Sequence, residues 1–141
     1  VGAFYSNKLV SVVIPSSITK INKGTFDFNS LTSVTLPSNL KEIGEESFRN
    51  NQLTFVDLPQ DLIVLGAGAF SNNLLTAIII PDNVTDIESG AFSNNKISSL
   101  ILGANVRNID GFTNNQLSTL VLGPSVKTVS GFSNNQFRIF Q

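Results

Sequence analysis

The sequence predicts a repeat solenoid, mainly β, with a parallel sheet along one side and short turns or single-turn segments along the other. Three observations predict it. A 22-residue period, shortened to a 20-residue one near the end, runs from Leu9 to Gln136; each unit opens on an alternating apolar stretch closed by Pro or Gly; and one Phe and one Asn recur in every unit. Self-similarity at a fixed period marks stacked units, each too small to bury its own apolar face alone.

The 22-residue units run 9–30, 31–52, 53–74 and 75–96, and the 20-residue units 97–116 and 117–136. A partial unit (1–8) precedes them and another (137–141) follows, so 1–141 reads as one repeat domain. Both ends fall inside a unit and no unit shows a polar capping face, so the chain is expected to be a segment of a longer protein.

Each unit begins with a strand. In the second unit Leu31, Val34 and Leu36 alternate with Thr32, Ser33 and Thr35, and Pro37 closes the run. Pro15, Pro59 and Pro81 close the other longer units, and Gly103 and Gly123 the shorter ones, residues that end a ladder at a fixed place. An apolar pair follows at three-residue spacing, Leu40 and Ile43 in that unit. It fits a short extended or single-turn segment on the opposite side and is too short for a helix.

A Gly-containing bend then leads to an unbroken aromatic column: Phe4, Phe26, Phe48, Phe70, Phe92, Phe112 and Phe132. These rings stack if coils lie about 4.7 to 4.9 Å apart, as neighbouring strands do. The unit closes on Asn7, Asn29, Asn51, Asn73, Asn95, Asn115 and Asn135, usually with a second Asn before it. Asn tolerates left-handed backbone and bonds main-chain groups through its amide, as a tight corner requires, so this column is read as structural. The shorter units lose their residues between the last aliphatic and the Phe, as in Ile109-Asp110-Gly111-Phe112. A shorter corner and altered curvature are expected there, with strand register intact.

Composition narrows the chemistry. The chain has no Cys, His, Met or Trp, which removes Ser-His-Asp triads, cysteine nucleophiles, thiolate or imidazole metal sites and thiol redox motifs. A net charge of −1 lacks the positive excess that nucleic acids or anionic membranes demand. No apolar run is long enough to span a bilayer and the N-terminus has no signal-peptide pattern. No cofactor and no metal are expected. The acids Glu42, Glu45, Glu46, Asp57, Asp61, Asp82, Asp86 and Glu88 gather in the middle units with Lys or Arg on either side, which reads as a solvated face; no Ca²⁺ loop spacing appears. Asn83-Val84-Thr85 matches a glycosylation sequon, a short pattern that arises often by chance.

If strand positions one, four and six face the core, positions two, three and five face out. The fifth position then carries Val13, Thr35, Asp57, Ile79, Ile101 and Val121, beside Phe55, Ala77, Ser99 and Thr119 of the third. This outward apolar stripe marks a contact surface or fills a strand face by β-propensity; both readings stand. The candidate binding residues are Phe55, Asp57, Ala77, Ile79, Ser99, Ile101, Thr119 and Val121; no catalytic residue is assigned.

The pattern LxxVxLPxxLxxIxxxAFxxN, seen almost whole in Ile43-Gly44 and in Gly90-Ala91-Phe92-Ser93-Asn94-Asn95, resembles the leucine-rich repeats of the treponemal or BspA-like class. This chain has Asn where that class often has Cys. The resemblance covers essentially the whole chain and implies a leucine-rich-repeat superhelix with a concave parallel sheet, in secreted or cell-surface bacterial proteins that adhere to other macromolecules. The expected function is therefore a non-enzymatic binding or adhesion module, extracellular or at the cell surface, holding a protein or glycan on the concave sheet. The alternatives are a structural spacer that self-associates end to end and, more distantly, a carbohydrate-active enzyme, whose chemistry needs only two carboxylates at a set separation.

Overall fold

The computed structural model describes residues 1–138; residues 139–141 of the last partial unit lie outside the described residues. The chain is a stack of coils built from short parallel strands, with no helix among the described residues. Two strand columns run along the stack. The first comprises β1 (Ser11–Val13), β3 (Ser33–Thr35), β6 (Ala77–Ile79) and β8 (Ser99–Ile101). The second comprises β2 (Lys20–Ile21), β4 (Glu42–Ile43), β5 (Val64–Leu65), β7 (Asp86–Ile87), β9 (Asn108–Asp110) and β10 (Thr128–Ser130). The second apolar segment of each unit is thus extended, the first of the two forms its spacing allowed.

All pairings are parallel. Ser11 faces Ser33, Ala77 faces Ser99 and Asp86 faces Asn108, each across one longer unit, whereas Asn108 faces Thr128 across a shorter one. The shortened period leaves this ladder aligned because the loss falls after it. In the longer units the chain turns out of the second strand through a left-handed residue, Gly24, Glu46, Gly68 or Gly90. In the fifth unit β9 runs straight into Gly111 and Phe112, the shorter corner that the deletion predicts.

The third side is closed by hydrogen bonds of a single sense. The N–H of Phe4, Phe26, Phe48, Phe70, Phe92 and Phe112 each donates to a carbonyl of the following coil, at 2.8 or 2.9 Å. Above this backbone the rings stack at centroid separations of 5.2–5.7 Å with planes within 17° of parallel. Phe48, Phe70, Phe92 and Phe112 are fully buried and join Leu31, Leu40, Ile43, Leu53, Leu62 and Leu75 in one continuous core. Coil spacing admits little extra volume: a Cβ on Gly66 would sit 2.6 Å from the Glu45 nitrogen, so a side chain there forces the coils apart.

The two corner Asn residues divide the work that sequence reasoning assigned to one. The left-handed backbone belongs to the first of each pair, Asn50, Asn72, Asn94, Asn114 and Asn134, with φ between 55° and 58°. The second, whose column is Asn29, Asn51, Asn73, Asn95, Asn115 and Asn135, provides hydrogen bonds. The Asn73 amide donates to the carbonyls of Phe70 and Ser71 and to that of Phe48 in the preceding coil, and its oxygen accepts from the Leu53 N–H that opens its own unit at 3.0 Å. Asn is suited to this slot because its amide both donates and accepts, so one side chain serves two coils.

Candidate binding surface

The first strand column presents an outer face whose geometry follows from the alternation of side chains along a strand. Leu31, Leu53, Leu75 and Ile97 at position one are buried, and Val56, Ile78, Leu58 and Ile80 at positions four and six are buried too. Positions three and five turn to solvent. Phe55 is 67% exposed, Ile79 58%, Ile101 56% and Val121 82%. Ala77, Ser99, Thr119 and Asp57 are exposed beside them. All the candidate residues therefore lie on one outer face, and Phe4, Phe26, Phe48, Phe70, Phe92, Phe112 and Phe132 lie on the side away from it.

This face is interrupted, which periodicity did not reveal. β1 pairs with β3 and β6 with β8, yet residues 54–58 join neither neighbour: among the described residues no backbone hydrogen bond links them to 32–36 or 76–80. The third unit is the one with a large aromatic at position three and an acid at position five, where the others have small or β-branched residues. Of the two changes the acid disfavours regular pairing on a pleated surface, whereas Phe is a favourable strand residue. Among the described residues no backbone hydrogen bond links residues 118–122 of the sixth unit to 98–102 either, and their side chains do not account for it.

Two depressions flank the interruption. A groove of about 110 Å³ is lined by Phe55, Val56, Asp57, Leu58, Ala77, Ile78 and Ile79. A wider one of about 490 Å³ is lined by Leu36, Ser38, Asp57, Leu58, Pro59, Gln60 and Asp61. Asp57 and Leu58 belong to both. A third, apolar hollow opens over Phe4, Leu9, Val12 and Ile14 at the first coil.

The charges that looked merely segregated in sequence meet across coils. Lys20 pairs with Glu42 at 2.8 Å and Lys23 with Glu45 at 2.9 Å; both pairs are exposed and contribute little to stability. Glu45 also holds the Lys23 ammonium above its ordinary pKa through their hydrogen bond. The network that sequence reasoning missed centres on Asp27, only 2% exposed. Arg49 donates to it through Nε and Nη2, pairs with Glu46 and lies over the Phe28 ring at 5.9 Å. The Asp27 hydrogen bond pushes the Arg49 pKa up. Their shared slot in successive units was the available signal. On the second column, hydrogen bonds from the Thr85 hydroxyl and then the Asn108 amide hold the Asp86 carboxyl below its ordinary value.

Among the described residues there is no cluster of three or more Asp or Glu positioned to hold a metal ion, and no helix long and apolar enough to cross a membrane. A closed stack of near-identical corners with one variable outer face is a repeat scaffold, a class in which the interior fixes shape and the surface carries recognition. The sequence matches the family described as BspA type leucine rich repeat region, in six copies over residues 1–121, and the chain belongs to that family. Repeat solenoids of this family are typically non-enzymatic scaffolds, often used in protein binding or adhesion, and typically occur on bacterial surface proteins. No curated protein and no solved structure matches the chain. The sixth unit lies largely beyond the matched span, yet Phe132 stacks on Phe112 at 5.5 Å and the Asn135 oxygen accepts from the Leu117 N–H at 3.0 Å.

Proposed function

We propose that this chain is a non-enzymatic binding module of a bacterial cell-surface or secreted protein, and that it holds a partner on the outer face of the first strand column. One observation supports this most directly. The core is sealed by buried aliphatics and a complete Phe stack, yet Phe55, Ile79, Ile101 and Val121 remain exposed on a single face. Contiguous apolar surface of this kind marks an interaction site more often than isolated exposed residues do. An extracellular location follows the habit of the family.

Ile101→Glu tests the reading. It places a charge at the centre of the stripe without touching the core, so partner capture from cell-wall or host-matrix fractions should be lost while the circular dichroism spectrum is unchanged. Retained capture rejects the face.

A further inference from the structure

We infer that the face carries a composite pocket between the third and fourth units that takes an apolar side chain together with a neighbouring cationic one from a protein partner, Asp57 pairing with the cation. The inference rests on the binding reading above and adds the partner's chemistry.

The apolar half is the 110 Å³ groove, whose lining is aliphatic or aromatic apart from Asp57. At about 30 Å³ per water in the liquid, it has the capacity of a small aliphatic group rather than of a single water. It exists because Ala77 follows Phe55 along the column: the small residue leaves a recess beside the large one. The cationic half is the adjoining 490 Å³ depression, which holds Asp57 and Asp61 and no basic residue. The charges are uncompensated. Asp27, Glu42, Glu45 and Glu46 are each paired with a Lys or Arg, whereas neither Asp57 nor Asp61 has an ion pair or a side-chain hydrogen bond among the described residues. Asp57 stands at the junction of the two hollows, so the ligand's apolar and cationic groups must be near neighbours.

The uncompensated carboxylates favour a protein over a glycan, because Lys and Arg side chains supply a cation and a neutral sugar does not. The small groove also offers a sugar no side-chain hydroxyl or amide. An acidic partner would be repelled, and the exposed carboxylates confer salt-sensitive attraction for a basic one.

The test is an amide chemical-shift titration of the whole chain with three probes: a short peptide alternating leucine and arginine, the same peptide with glutamate for arginine, and an N-acetylglucosamine oligomer. The leucine–arginine peptide should shift the amides of Phe55, Asp57, Ala77 and Ile79, and its affinity should fall about tenfold in Asp57→Asn and comparably at high salt. Phe55→Ala, at an exposed position, should weaken it too, with circular dichroism confirming the fold. Equal binding of the glutamate peptide, no response to Asp57→Asn, or shifts caused only by the sugar would each overturn the pocket. If Ile101→Glu abolishes natural partner capture while Asp57→Asn and Phe55→Ala leave it intact, the pocket is rejected and the face stands.

Discussion

The side that carries Phe and Asn and the side that carries the first strands are built from the same units, yet they behave oppositely. Along the former the Phe and Asn slots repeat without a break: a Phe stacks on a Phe, and an Asn amide bridges each coil to the one before it, through the change from longer to shorter units. Along the latter the outward slots vary and pairing breaks at residues 54–58. The difference shows where the fold has spare capacity. Continuous buried columns hold the coils at a common spacing, so the exposed column can lose ladder hydrogen bonds and accept Phe55 and Asp57 without dismantling the stack.

The contrast can be broken most severely from the buried side. Phe70→Ala removes a fully buried ring between two others, and should cost about 4 kcal/mol by urea denaturation. Asn73→Ala should cost about 3 kcal/mol, since the Leu53 N–H loses its partner in the interior and the Phe48 and Phe70 carbonyls each lose one of two amide donors, keeping those of Asn51 and Asn95; Asn73→Asp, which can accept but not donate, should recover only part. Arg49→Ala leaves Asp27 buried and unpaired, and with Arg49 itself partly exposed the expected loss is about 2 kcal/mol. Adding Asp27→Asn to that variant should restore part of the stability.

On the open face Ile101→Glu should change stability by no more than about 0.5 kcal/mol while abolishing binding, which sharpens the separation of the two sides. The smallest effect concerns pH. Because hydrogen bonding holds Asp86 below its ordinary pKa of 3.8, its contribution is present above that value and is lost as pH falls through the depressed folded one. Asp86→Asn should therefore slightly flatten the loss of stability below about pH 4, measured as the urea midpoint against pH.

Much of this was legible in the chain. The inward set Leu53, Val56 and Leu58 and the outward pair Phe55 and Asp57 follow from alternation alone, because a strand turns every second side chain to one face. The Phe column follows from recurrence, since an aromatic retained at one slot needs the same surroundings in each coil. The partition between Asn72 and Asn73 was not legible, as both are the same residue and either tolerates a corner. Nor was the pairing of Asp27 with Arg49, which share a slot in successive units but differ in type from the Ser and Thr residues that fill it in the later ones.

By itself the sequence determined the period, the slots and the face that each slot serves, for these depend on spacing within one unit and on repetition between units. Tertiary structure decided what each residue meets in the coils above and below it: which charges pair, where the first column opens, and that Asp57 stands unpaired beside an apolar groove. Those outcomes depend on contacts between residues a whole unit apart in the chain, brought within a strand spacing of about 4.8 Å only once the coils are stacked.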